Sequence, residues 1–317
     1  MHFDLTMAIG SFLVAIIVGL TGMGGGALMT PMLVTFFGVP PLAAVSSDLV
    51  AAAIMKPVGS YVHLRRGTVN LRLVAWLCVG SVPSAFCGVL VARGMGGGAQ
   101  DFIAKAMGVA LLIAAAGLIV RMVQAMRDRA SGRDDRVTAE PGSPASEEPP
   151  ALKVRPVPTV LVGALGGLIV GMTSVGSGSL IIVALLALYP ALKANQLVGT
   201  DLLQAVPLVA SAALGHLLFG DFQLSITTAL LAGSIPGVYL GARISSRAPG
   251  TLIRRALTFV LIASALKMFG VPVTALAWIM VGMIALAAAG WAVIRNRAGA
   301  GAQPAMEVSG SRAPRPL

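Results

Sequence analysis

The chain is expected to be an all-α, polytopic membrane protein made of two inverted repeats, each opening with glycine-broken short helices or re-entrant hairpins, plus one extra C-terminal helix. Three observations lead there. Of 317 residues, 56% are hydrophobic and 11% charged, with a mean hydropathy of +0.88; soluble domains are charged at roughly a quarter of positions. Apolar tracts near the length a helix needs to cross a bilayer follow one another with hardly a charge inside them. Barrel-type alternation is absent, so helices are the remaining way to satisfy a lipid-buried backbone. Third, the sequence repeats itself. Ile17-Val18-Gly19-Leu20-Thr21-Gly22-Met23-Gly24-Gly25-Gly26 aligns, 152 residues on, with Ile169-Val170-Gly171-Met172-Thr173-Ser174-Val175-Gly176-Ser177-Gly178. At an offset of 153, Val45, Asp48, His63, Gly67, Gly80, Ser81, Pro83 and Gly88 meet Val198, Asp201, His216, Gly220, Gly233, Ser234, Pro236 and Gly241.

Each element follows from its tract. The first repeat, residues 1–124, carries apolar tracts at 5–21, 26–38, 41–62, 72–92 and 102–122. The second, 157–271, carries them at 157–175, 178–190, 194–217, 224–243 and 252–270. The first two tracts of each repeat are short and are separated by the glycine cluster. Residues 125–156 are rich in Arg, Asp, Glu, Pro, Ser and Gly, too polar to bury a core, and are expected to form a disordered cytoplasmic linker. A further helix is expected within 272–295, and 296–317 reads as a disordered cytoplasmic tail. No basic residue precedes the first tract, which argues against a cleaved signal peptide. Cys78 and Cys87 lie nine residues apart in one helix, too far for a disulfide, and are read as buried fillers.

Charge gives an orientation. If each pair of short segments returns the chain to the side where it began, 19 of the 23 Lys and Arg residues share one face, leaving Arg93, Lys105 and Lys267 opposite and Lys56 inside the membrane. The positive-inside rule makes that face cytoplasmic. The N-terminus is then expected outside and the C-terminus inside. The repeats are then inverted, as in many secondary transporters. The same rule accounts for the net charge of +11 without nucleic acid.

The breaks are the first candidate site. Glycine clusters in a bilayer free backbone polar groups, which protein or a water-filled cavity must satisfy. Half-helices restarting there aim N–H groups and a positive dipole end at one point, which suits an anion. Thr21, Gly22, Gly24, Gly25 and Gly26, with Thr173, Ser174, Gly176, Ser177 and Gly178, are the candidate substrate-binding residues, and close helix packing through Gly22 and Gly26 is the competing explanation. Asp48 and Asp201 sit roughly 10 Å inside the third tract of each half. They serve either proton coupling or bracing of the break. Lys56, the one base deep in a span, is read as facing an anionic substrate or Asp201, with snorkelling as the alternative. His63 and His216, at matching helix ends, are assigned to proton coupling or to structure. Nothing in the sequence calls for a metal or cofactor, and the chain is compatible with a homo-oligomer.

The cluster Gly22, Gly24 and Gly26 leading to Pro31, then Ser47-Asp48 and His63, all echoed in the second half, resembles the sulfite exporter TauE/SafE family. The resemblance spans about residues 5–122 and 157–270, and departs from it in the charged linker and at Val183, where the equivalent of Pro31 is missing. It implies a multi-pass transporter exporting a small anion, sulfite or an organosulfonate, by alternating access. Three other readings compete: a passive anion channel, an intramembrane protease using Ser177 with His216 or Asp48 with Asp201, and an accessory membrane protein docking through the linker.

Overall fold

The computed structural model describes residues 4–21, 25–65, 67, 69–130, 154–176, 178, 180–190, 192, 194–219, 222–245, 250–283 and 285. Among these, helices occupy every expected tract: α1 (Leu5–Thr21), α2 (Gly26–Phe36), α3 (Pro41–Arg65), α4 (Leu71–Gly94), α5 (Ala99–Ala130), α6 (Pro156–Thr173), α7 (Leu180–Leu188), α8 (Ala194–Phe219), α9 (Leu224–Ser245) and α10 (Gly250–Met268). A 3₁₀ turn at Gly96–Gly98 joins α4 to α5. The starts are encoded locally. Asp4 accepts the amides of Thr6 and Met7 ahead of α1, Asn70 accepts the Leu73 amide at the N-cap of α4, and Pro156 opens α6, where a missing N–H costs nothing. The chain divides into two compact units after Val271. The described part of the second is a short apolar helix, α11 (Val273–Met283), which leaves Val273, Trp278 and Val281 exposed.

Within the first unit, the first helix of each half packs along the fourth helix of the other: α1 on α9, and α6 on α4. Glycine makes both approaches possible. A Cβ at Gly80 would overlap the Val160 carbonyl oxygen, and one at Gly88 would overlap that of Leu168. A Cβ at Gly233 would overlap the Ala8 oxygen, and one at Gly241 that of Ile16. These contacts recur at the 152 and 153 offsets of the sequence repeat. So do two hydrogen bonds: Ser47 Oγ donates to the Gln223 carbonyl at 3.5 Å, and Thr200 Oγ1 accepts the Asn70 amide at 3.1 Å. The third helices of the two halves, α3 and α8, lie against each other. Their contacts run in opposite order, Ser46 meeting His216 and Ser60 meeting the Leu202 carbonyl, so the two helices are antiparallel.

The outer faces are apolar. On α1, Ile9, Leu13 and Ile17 recur one turn apart and are all exposed, a stripe that water would penalise and lipid would not. Among the described residues, five helices are long and apolar enough to cross a membrane, namely Leu71–Gly94, Ala99–Val120, Pro156–Thr173, Gly199–Phe219 and Leu224–Gly241. Both cysteines are free; Cys78 is half-buried as a filler should be, but Cys87 lies on the exposed face of α4, correcting the expectation that both are buried. A nine-residue spacing is about two and a half helical turns, so the second thiol lies on the opposite side of α4 from the first. The interior collects the polar groups, among them Asp48, Lys56, Asp201, Gln204 and His216.

Candidate functional site

The two glycine breaks meet. α2 starts at Gly26, and any Cβ there would collide with the carbonyl oxygen of Ser174, the residue that ends α6. Close packing at Gly26, the explanation that competed with a substrate site, is therefore present. Ser174 has φ 58°, the one non-glycine residue at positive φ among the described residues, a conformation that costs energy unless its surroundings hold it. The hold is visible: Ser174 Oγ donates to Asp48 Oδ2 at 2.7 Å, and Thr30 Oγ1 donates to the same oxygen at 2.7 Å. Asp48, on α3, thus ties α2 of its own half to the break of the other. Gly25 faces it, its Cβ direction passing 4.0 Å from Asp48 Oδ1.

The remaining break residues follow their backbone. Thr173 Oγ1 donates to the Ile169 carbonyl at 2.7 Å and also accepts the Val175 amide at 3.2 Å, so its hydroxyl serves the break itself. Gly176 and Gly178 have φ 131° and 100°, outside what an L side chain readily adopts. Gly22, Gly24 and Ser177 lie outside the described residues, as do the side chains of Thr21 and His63.

Lys56 is buried on α3, as are Asp48 on the same helix and Asp201 on α8. The register is fixed by Ser60, whose hydroxyl lies 3.0 Å from the Lys56 carbonyl and 2.8 Å from that of Leu202, the neighbour of Asp201. One cation and two carboxylates therefore share the protein interior, which is tolerable only as a set. His216 is fully buried. Its Nε2 is 2.8 Å from the Gly171 carbonyl, which fixes the proton on that nitrogen, and its Nδ1 is 2.8 Å from Ser46 Oγ. The ring thereby links α8 to α6 and α3 instead of simply facing the C-terminal end of its own helix. With Nε2 on Gly171 and Nδ1 on Ser46, neither nitrogen is left for a further partner.

Comparison with known proteins identifies the group. The profile of the family described as "Sulfite exporter TauE/SafE" matches residues 7–268. The chain belongs to the sulfite exporter TauE/SafE family. Among its relatives, the "Probable membrane transporter protein YjnA" of Bacillus subtilis (strain 168) is 36% identical over 258 residues, 80% of this chain and 95% of that protein. The "Probable membrane transporter protein YdhB" of the same organism is 22% identical over 248 residues, 78% and 92% of the two chains. No solved structure matches. As a TauE/SafE protein the chain is a multi-pass membrane transporter, not an enzyme, and its surroundings include a lipid bilayer and a small-molecule substrate.

Within this TauE/SafE structure, several polar contacts were not anticipated from sequence: Thr30 on Asp48, Ser46 on His216, and Gln204, whose Nε2 donates to Ser81 Oγ at 2.6 Å. Ser81 and Ser46 belong to apolar helices and look like ordinary small residues. A signal did exist for Gln204, a side-chain amide one turn beyond Asp201 in the middle of its tract, away from Asn195 and Gln196 at the start. Thr30 has no counterpart in the second half, where the aligned position is Ile182. The two aspartates consequently have different surroundings despite their matching positions.

Proposed function

We propose that this chain is a secondary carrier that exports a small oxyanion, sulfite or an organosulfonate, across the bacterial cytoplasmic membrane by alternating access with proton linkage. The observation that carries the reading is the meeting of the two breaks at Gly26 and Ser174, in an interior that also buries Lys56, Asp48 and Asp201. Inverted repeats require the matching helices α3 and α8 to run in opposite directions, and their contacts do so. The distribution of basic loops supports an N-terminus outside and a C-terminus in the cytoplasm.

In this reading the backbone N–H groups of the two breaks bind the substrate oxygens and Lys56 supplies the complementary charge. The candidate positions are Thr21, Gly22, Gly24, Gly25, Gly26, Thr173, Ser174, Gly176, Ser177 and Gly178. Asp48 is the brace, because its carboxylate already receives two hydroxyls. Asp201 is the proton acceptor: a monoanion arriving at Lys56 competes with Asp201 for the ammonium, and a proton on Asp201 restores the charge balance of the interior. The test is flux of sulfite, sulfonates, sulfate, thiosulfate and carboxylates in proteoliposomes, with and without an imposed pH gradient. Wild-type flux should follow the gradient and Asp201→Asn should uncouple it. Flux indifferent to both would replace the carrier with a passive channel. Lys56→Ala should weaken anion binding while leaving the protein in the membrane; unchanged uptake into inside-out vesicles would remove Lys56 from the site.

A further inference from the structure

We infer that a cavity between the ends of α3, α4, α5 and α8, separate from the breaks, is an outward-facing vestibule that binds a small organic anion through Arg93. The inference rests on the carrier reading for its orientation. The cavity has a volume of about 420 Å³ and is lined by Leu42, Ala92, Arg93, Gln100, Leu218 and Phe219, among others. That volume lies within the range of small-ligand pockets.

Arg93 is placed for recognition. Its guanidinium stacks over the Phe219 ring, 5.2 Å from the centroid, a contact that fixes the planar group without consuming its hydrogen-bond donors. Among the described residues no carboxylate pairs with it; Asp101 follows the lining residue Gln100 but is exposed and outside the lining. Gln100 itself is committed, its Oε1 accepting the Leu42 amide at 3.1 Å. The cavity therefore offers one oriented cation in a mostly polar lining, which suits a small sulfonate or carboxylate. Arg93 is also one of three bases on the face that the positive-inside rule depletes. The cavity joins both halves, since α8 comes from the second and the other elements from the first. Ser46, whose hydroxyl lies 2.8 Å from the Leu42 carbonyl, connects its wall to His216.

The test needs no transport. Leu218, 60% exposed on the cavity rim, is replaced by cysteine in a background with Cys78→Ala and Cys87→Ala, and the full chain is labelled in intact, right-side-out vesicles with a membrane-impermeant maleimide. Ethanesulfonate should slow the labelling. The concentration giving half-protection should rise about 10-fold in Arg93→Gln, the worth of one charge-assisted contact in a partly exposed site, and should be largely restored in Arg93→Lys. Phe219→Leu should weaken protection with the charge retained. Labelling that ignores ethanesulfonate would overturn the assignment, as would protection that survives Arg93→Gln. Slower labelling caused by adding phosphatidylglycerol, with no effect of ethanesulfonate, would give the cavity to a lipid head group and also overturn it. A protected Leu218→Cys in a protein that moves no anion would leave the vestibule standing and remove the carrier.

Discussion

Replacing Lys56 by methionine removes a buried charge while keeping an unbranched side chain of similar length. Lys56 is 8% exposed, Asp48 3% and Asp201 1%, and among the described residues no other lysine or arginine is buried. The substitution leaves two carboxylates with no internal cation. Breaking a buried pair from one side costs about 3–5 kcal/mol. At roughly 2–4 °C per kcal/mol for chains of this general size, the midpoint of thermal unfolding should fall by about 10 °C. Adding Asp201→Asn removes the stranded charge, while Asp48 keeps the hydroxyls of Thr30 and Ser174. The double variant should therefore recover most of the loss, with a coupling energy of about 2–3 kcal/mol. Thermal unfolding in detergent of the wild type, both single variants and the double variant closes the cycle. Strictly additive effects, or a Lys56→Met protein as stable as wild type, would mean that the ammonium reaches the interface instead and that the buried charge set does not exist.

Three further outcomes are expected. Gly80→Val and Gly233→Val both force a side chain against the backbone of a neighbouring first-in-half helix and should each cost about 1–3 kcal/mol in the same unfolding assay; a large effect at only one position would deny the equivalence of the two interfaces. Ser174→Ala takes one donor from a buried carboxylate and should cost about 1.5–3 kcal/mol, an effect that should largely vanish in an Asp48→Asn background if that bond is its cause. At the N-terminus of α1, the Thr6 hydroxyl and the Met7 and Thr6 amides hold the Asp4 carboxyl below the usual carboxylate value. Its capping is thus complete above that ordinary value and is lost as pH falls through the depressed one. A falling protection factor at the Thr6 and Met7 amides on acidification, taken relative to the intrinsic exchange rate at each pH, checks it, and Asp4→Asn should flatten the response.

Most of the fold was legible because a bilayer leaves few options. A backbone that cannot reach water must bond to itself, so runs of apolar residues became helices at nearly the predicted limits, and the break between Thr173 and Leu180 fell where Gly176 and Gly178 permit positive φ. The site was legible by residue and less so by role. Asp48 and Asp201 occupy equivalent sequence positions, yet Asp48 is enclosed by two hydroxyls while Asp201 precedes Leu202, whose carbonyl meets Ser60 one turn beyond Lys56. The difference arises from Thr30, Ser174 and Lys56, whose mates Ile182, Gly22 and Val209 cannot play the same parts. His216 shows the same gap. Its place near a helix end was readable, but its bonds to Ser46 and Gly171 come from helices 170 and 45 residues distant in sequence.

Composition, periodicity and the internal duplication by themselves determined that this chain is a helical membrane protein with two related halves, since hydrophobic length and glycine placement act through nearest neighbours and solvent. The tertiary structure alone decided that the breaks touch, that α3 and α8 run antiparallel in contact, and that Lys56, Asp48 and Asp201 are buried in one interior. Those facts depend on which surfaces remain to be buried once every helix has formed, a condition that no single segment carries.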